Sequence, residues 1–206
     1  MKHINVNGVC IYRNAIAYPF EIIEASELLN ISTDSKGDWS QSTVIDTEGK
    51  VFISDVRTNQ LMFTPAPTQK GDESSAEVML ANKIHECVLP CLQHFNNKFG
   101  LSIKSNSTLG YQILKYSIGE HYVSHLDNGE RTRRYASAVA YLNDDYEGGE
   151  LYFPNQGVQF KPKKGAAYFF PGDMNYIHGV TEIKSGIRYT CPFFWEITEH
   201  TGDRKP

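Results

Sequence analysis

The chain lacks any apolar run near the ~20 residues a membrane-spanning helix requires, so no span is expected. Its opening stretch, Met1-Lys2-His3-Ile4-Asn5-Val6-Asn7, has no apolar core of the kind that drives secretion, and a cytoplasmic setting is expected. Basic residues are not in excess: 20 Lys and Arg stand against 24 Asp and Glu, for a net charge of −4. That balance gives no electrostatic footprint for nucleic acid, and no nucleic-acid partner is expected. The longest basic cluster, Arg131-Thr132-Arg133-Arg134, reads as a solvated loop able to steer an anion. Cysteine is scarce as well. Cys87 and Cys91 are spaced i, i+4 in a helical segment and, with Cys10 and Cys191, read as small core residues. A reduced compartment follows from that reading. Internal repeats and low-complexity tracts are absent.

What is present describes one globular domain spanning residues 1–206, with a helical support and loop region over 1–100 and a core over 101–198. Twelve Tyr and eleven Phe tilt the composition toward β structure. Pro19 to Leu29 reads as a helix, with Pro in its first turn and Ile22, Ile23, Ala25, Leu28 and Leu29 on one face. Residues 30–50 are polar around a single Trp39 and read as a loop or loose hairpin, a candidate lid. Val51 to Phe63 has strand character. Ser74 or Ser75 caps a second helix, whose stripe is Leu80, Ile84, Cys87, Cys91, Phe95 and Phe99. Pro90 is expected to kink or divide it. Beyond Gly100, short β-branched and aromatic runs alternate with turn signals: Tyr111 to Tyr116, Tyr122 to Leu126, Tyr135 to Leu142, Glu150 to Phe153, Val158 to Phe160, Ala166 to Phe170 and Ile187 to Ile197. Many short strands so spaced form a sandwich or barrel. The expected fold is therefore mainly β with flanking helices.

Chemistry concentrates in that second half. In a strand, residues two apart point the same way, so His125 and Asp127 can reach one ion. His178, in another strand-like run, offers a third donor. Two imidazoles and one carboxylate leave open positions on an octahedral ion and suit non-haem Fe(II). By themselves these residues leave the metal reading and an ordinary polar reading equally open. A helical zinc pair of His121 and His125 is disfavoured by Gly119, Tyr122 and Val123. Arg188 follows His178 across the Lys184-Ser185-Gly186 turn, and a hairpin there would carry it back near the metal. A guanidinium suits a carboxylate through paired hydrogen bonds, and the Tyr141 hydroxyl can add another. Pro192 in the last strand implies a bulge or an edge.

Tyr116-Ser117-Ile118-Gly119-Glu120-His121-Tyr122-Val123-Ser124-His125-Leu126-Asp127 resembles the Tyr-x-x-Gly-x-x-Tyr-x-x-His-x-Asp signature of prolyl 4-hydroxylases. Glu147-Gly148-Gly149-Glu150-Leu151-Tyr152-Phe153-Pro154 is similar to their Glu-Gly-Gly-Glu hairpin, and Pro162-Lys163-Lys164-Gly165 and His178 to Arg188 keep the family's order. Upstream, Ser42-Thr43-Val44 and Asp55 to Phe63 are similar to the loop with which these enzymes cover a peptide. The resemblance runs from about Pro19 to Trp195. It implies a double-stranded β-helix (jelly-roll, cupin-like) core and an Fe(II)/2-oxoglutarate dioxygenase that hydroxylates prolyl residues, releasing succinate and CO2. Iron would sit on His125, Asp127 and His178. 2-Oxoglutarate would sit on Arg188, Tyr141, Tyr116 and Thr190, with O2 and ascorbate completing the cofactors. The partner would be a proline-containing peptide or protein, met by Arg57, Tyr122, Trp39 and Trp195. Arg188 stands where collagen-type members carry Lys and oxygen-sensing members Arg. A small chain of this kind suits a bacterial or viral enzyme. The competing readings are an oxygenase of another amino acid or small molecule, and a non-catalytic binding module. Phe194, six residues after Arg188, stands where nucleic-acid demethylases carry a second Arg.

Overall fold

The computed structural model describes residues 2–31, 38–45, 48–65, 75–101, 103, 110–128 and 134–196. Arg131 to Arg133, Ser74, part of the 30–50 segment and Ile197 lie outside the described residues.

In chain order, strands β1 (Ile4–Val6) and β2 (Val9–Tyr12) precede helix α1 (Pro19–Ile31). Short strands β3 (Ser40–Gln41), β4 (Val44–Ile45), β5 (Val51–Phe52) and β6 (Gln60–Phe63) lead to helix α2 (Ala76–Phe99). The second half is β7 (Gln112–Tyr116), β8 (Tyr122–His125), β9 (Arg134–Tyr141), β10 (Glu147–Gly148), β11 (Leu151–Phe153), β12 (Val158–Phe160), β13 (Ala167–Pro171), β14 (His178–Val180), β15 (Ile183–Ser185) and β16 (Arg188–Glu196). An eight-stranded sheet runs β1-β2-β13-β9-β16-β7-β6-β3, and a four-stranded sheet runs β12-β11-β14-β8. Every pairing in both is antiparallel. The central strands of the large sheet alternate along the chain with those of the small one, which is the winding of a double-stranded β-helix.

Alternation along β9 and β16 divides the core. Ala136, Ala138 and Ala140 of β9, with Tyr189, Cys191, Phe193 and Trp195 of β16, face α2 and pack with Ile84, Val88, Cys91 and Phe95. Alanines there leave room for a helix to lie close to the sheet. The opposite faces, including Tyr141 and Arg188, look toward the small sheet, where Leu151, Phe153, Val180 and Ile183 close the interior. Cys10, Cys91 and Cys191 are buried and Cys87 is half-buried, as expected of small core residues.

Ser75 caps α2 by accepting from the Val78 amide at 3.2 Å, and Gly100 ends it at φ 64°. Pro90 does not divide this helix. It is solvent-exposed, on the side where the carbonyl it leaves unpaired can turn to water. Two apolar expectations are corrected: Leu28 is 67% exposed and Phe99 41% exposed. The buried stripe of α1 is Ile22, Ser26 and Leu29, and Ser26 satisfies its hydroxyl on the Ile23 carbonyl at 2.8 Å. The Val51 to Phe63 run is two strands, interrupted where Arg57 bridges to Tyr122. Pro192 is tolerated because β7 pairs with β16 only through Thr190, so β16 has a free edge beyond it. The β-bulge lies at Trp195/Glu196 instead.

Candidate metal and co-substrate site

β8 and β14 are neighbours in the small sheet, and their register sets His178 opposite His125. Asp127 lies two residues past the end of β8 and turns inward, 7% exposed. His125 Nε2 is 3.6 Å from Asp127 Oδ1, and His178 Nε2 is 3.7 Å from Oδ2. One donor atom from each residue lies within 4.8 Å of the other two. Each histidine donates its Nδ1 proton to a backbone carbonyl, His125 to Val123 at 2.9 Å and His178 to Tyr176 at 3.1 Å. That leaves both Nε2 lone pairs aimed at the common centre, the arrangement a metal-ligating histidine requires. Burial pushes the His178 imidazole down to about 4, so it stays neutral at physiological pH. Burial alone would raise the Asp127 carboxyl, but the two imidazoles outweigh it and hold it well below the usual range. An ionised carboxylate and the neutral His178 imidazole are protonation states that suit a divalent cation.

The opposing wall comes from the large sheet. Arg188 begins β16 and is 1% exposed, its guanidinium 4.7 Å from the Tyr116 ring centre and 5.0 Å from that of Tyr141. It donates to the Tyr141 hydroxyl at 3.2 Å and reaches Thr190 Oγ1 at 3.5 Å. Among the described residues no carboxylate forms an ion pair with it, and its Nε has no partner. A buried cation without an anion is costly, and one facing the histidine cluster across the same pocket is poised for an anionic ligand. The expected hairpin is not how this comes about. β15 pairs with β10, and β14 and β16 belong to different sheets, so His178 and Arg188 meet across the interior rather than along one ladder.

At the pocket mouth Tyr122 stacks on His125, centroids 3.6 Å apart and planes 11° apart. Arg57 lies over the Tyr122 ring at 5.0 Å. Its Nε donates to Asn59 Oδ1 at 3.2 Å, and the fully buried Asn59 donates in turn to Ser42 Oγ at 2.8 Å. Arg57 and Tyr122 both line this pocket. Trp39 and Trp195 do not. Trp195 stacks on Phe169 at 5.3 Å on the helix-facing side, and Trp39 packs near Tyr189 at 6.2 Å on that same side. Arg134 corrects the loop reading: it opens β9, lies 3.7 Å over the Phe194 ring and places Nη1 3.7 Å from Asp127 Oδ1. Sequence reasoning also missed Asn59 as the partner of Arg57, because its local sequence carries no metal or anion signal.

Residues 111–196 match the 2OG-Fe(II) oxygenase superfamily, the stretch that carries all three metal-facing side chains and Arg188. The chain is 29% identical over 178 residues to prolyl 4-hydroxylase 1 of Arabidopsis thaliana, covering 73% of itself and 57% of that protein. It thus spans little more than half the length of that relative. A PKHD-type hydroxylase of Paraburkholderia xenovorans is 26% identical over 162 residues, with 73% and 69% covered. In fold, the chain resembles a Trichoplax adhaerens prolyl hydroxylase solved with a hypoxia-inducible-factor peptide fragment (TM-score 0.71, 22% identity, 92% of this chain and 84% of that one). A Pseudomonas putida prolyl 4-hydroxylase is also similar (TM-score 0.62, 18% identity, 92% and 93% covered).

Proposed function

We propose that the chain, as one domain over residues 1–206, is an Fe(II)- and 2-oxoglutarate-dependent dioxygenase hydroxylating prolyl residues of a peptide or protein. The observation that carries this is a buried guanidinium lacking an anion, across one pocket from two imidazoles and a carboxylate with converging donor atoms. The donor set fits iron: it contains no thiolate, and three facial ligands leave room for a chelating keto acid. The cradle fits the far carboxylate of 2-oxoglutarate, because Arg188 is fully buried and its Nε has no partner.

His125, Asp127 and His178 would hold the iron, and Arg188, Tyr141, Tyr116 and Thr190 the co-substrate's distal end. When bound, the pair supplies an oxidant that places one atom of O2 in a substrate C–H bond and the other in succinate, with CO2 released. The protein's part is positional. The Val123 and Tyr176 carbonyls orient the two imidazoles, Arg134 lies beside the Asp127 carboxylate, and the interior of the β-helix keeps water from the reacting centre. Arg57, held by Asn59, and Tyr122 would meet the peptide at the mouth. Ascorbate would serve as an accessory cofactor. The peptide reading is supported by the relatives' names and by the peptide bound to the Trichoplax protein. Among the described residues no helix is long and apolar enough to cross a membrane.

Wild type and Asp127→Ala, given Fe(II), 2-oxoglutarate and a panel of proline-containing peptides, test the proposal by mass spectrometry. The expected result is succinate with one oxygen added to a prolyl residue, in wild type only. Oxygen appearing on a free amino acid or another small molecule, and never on a peptide, would overturn the prolyl assignment.

A further inference from the structure

The two histidines of the cluster are oriented alike but supported differently. His178 is 4% exposed and lies among interior aromatic rings, Phe170 at 4.7 Å and Phe153 at 5.5 Å. His125 sits on β8, at the edge of the small sheet, with its side chain 20% exposed. Its Nδ1 bond to the Val123 carbonyl fixes the tautomer, but a single hydrogen bond leaves the ring free to rock about that contact. Among the described residues, the rings that meet His125 are His178, at 4.4 Å, and Tyr122, stacked at 3.6 Å.

That stack is not what a regular strand gives. Tyr122 and His125 are three residues apart, an odd offset that sends side chains to opposite faces. The β8–β14 register is irregular, however: His178 faces His125 and Val180 faces Tyr122, so two steps along β14 match three along β8. A bulge of this kind absorbs one residue and re-aims its neighbours, and here it returns Tyr122 to the side of His125. The ring is itself held in place. It packs on the Leu61, Leu114 and Tyr116 cluster, and Arg57, tied to Asn59, lies over it. The far edge of β8 is fastened as well, by the Val123 amide donating to the Val56 carbonyl at 3.0 Å.

We infer that Tyr122 is a positioning residue of the metal site, whose ring holds the His125 imidazole in the plane that aims Nε2 at the cluster. The side chain that His178 receives from the interior, His125 receives from the bulged strand. A ligand held in this way loses little freedom when a cation arrives, whereas a rocking imidazole must first be ordered. The stacking face of the ring does this, and the phenol hydroxyl takes no part. This inference rests on the metal reading above.

The test is titration of the metal-free protein with Co(II) under argon, followed by the visible absorption of the bound ion. Tyr122→Leu is expected to bind Co(II) about 10-fold or more weakly, the scale of losing a group that orients a ligand, and to change the shape of the absorption band. Tyr122→Phe keeps the ring and is expected to match wild type in both. Wild-type affinity in Tyr122→Leu, or a loss in Tyr122→Phe as large as in Tyr122→Leu, would overturn the inference. Phe95→Ala loosens the core on the α2 side of the sheet. A loss of affinity there equal to that in Tyr122→Leu would make the effect one of general stability, and would overturn the inference too. Asp127→Ala separates the two levels of the argument. If that variant loses Co(II) while Tyr122→Leu does not weaken it, the metal reading stands and the role of Tyr122 falls. If wild type does not bind Co(II), or Asp127→Ala binds it equally well, both fall.

Discussion

Replacing Arg188 by methionine should separate binding from folding in an unusual direction. In most proteins, removing a fully buried arginine breaks an ion pair and strands a carboxylate, at a cost of ~3–5 kcal/mol. Here no carboxylate pairs with Arg188 among the described residues, so methionine removes an uncompensated charge and keeps most of the aliphatic packing. The ligand-free variant should therefore unfold within ~1 kcal/mol of wild type, or above it. Co-substrate binding should respond the opposite way. Losing a paired, charge-assisted contact costs ~2–5 kcal/mol, roughly 30- to 4,000-fold in affinity. At a concentration 100 times the wild-type Kd, 2-oxoglutarate stabilises wild type by ~2.7 kcal/mol, and a 30-fold weaker variant by only ~0.9 kcal/mol. For a chain of this size that is a shift in melting temperature of ~5–10 °C against ~2–3 °C. Thermal unfolding of the Mn(II)-loaded proteins, with and without 2-oxoglutarate, reads both quantities. An undiminished ligand shift in Arg188→Met would refute the anion-site argument. So would a ligand-free variant several kcal/mol less stable, because Arg188 would then have a partner of its own.

Three further outcomes are expected. Asp127→Ala should weaken Mn(II) or Co(II) binding by more than the ~10–100-fold typical of outer-shell changes, since it removes the only carboxylate of the cluster; titration of the metal-free protein measures this. Phe95→Ala should cost ~3–5 kcal/mol in denaturant unfolding without altering metal affinity, because Phe95 is 1% exposed and fills the seam between α2 and Phe169, far from the donor atoms. Glu27 ties α1 to the sheet through Lys115 at 2.9 Å and Tyr189 at 2.7 Å, and despite partial burial its carboxyl is held below the usual range. Its folded pKa is depressed, so its stabilisation is present above the unfolded carboxylate pKa and lost as pH falls through the folded one. Glu27→Gln should thus cost ~1 kcal/mol or less at pH 7, a figure discounted for its 33% exposure, and the gap from wild type should close in acid.

Local sequence carried much of this protein because the information it needed was local. A two-residue spacing puts His125 and Asp127 on one side of an extended backbone whatever surrounds it, and the β texture after Gly100 follows from residue type and turn chemistry. Strand alternation even held an answer that went unused. Trp195 is seven residues from Arg188, an odd offset, and so faces the opposite side of β16, against α2 rather than the substrate. What could not be read locally depended on which strands meet. His178 sits opposite His125 because β14 pairs with β8, and Arg188 faces them because β16 lies in the other sheet. The inward turn of Arg134 and the withdrawal of Trp39 are likewise products of two sheets closing on one another. Side-chain direction along a strand is a property of the backbone's own period. The neighbour that a side chain meets is set by the winding of the whole chain, and only the folded molecule contains it.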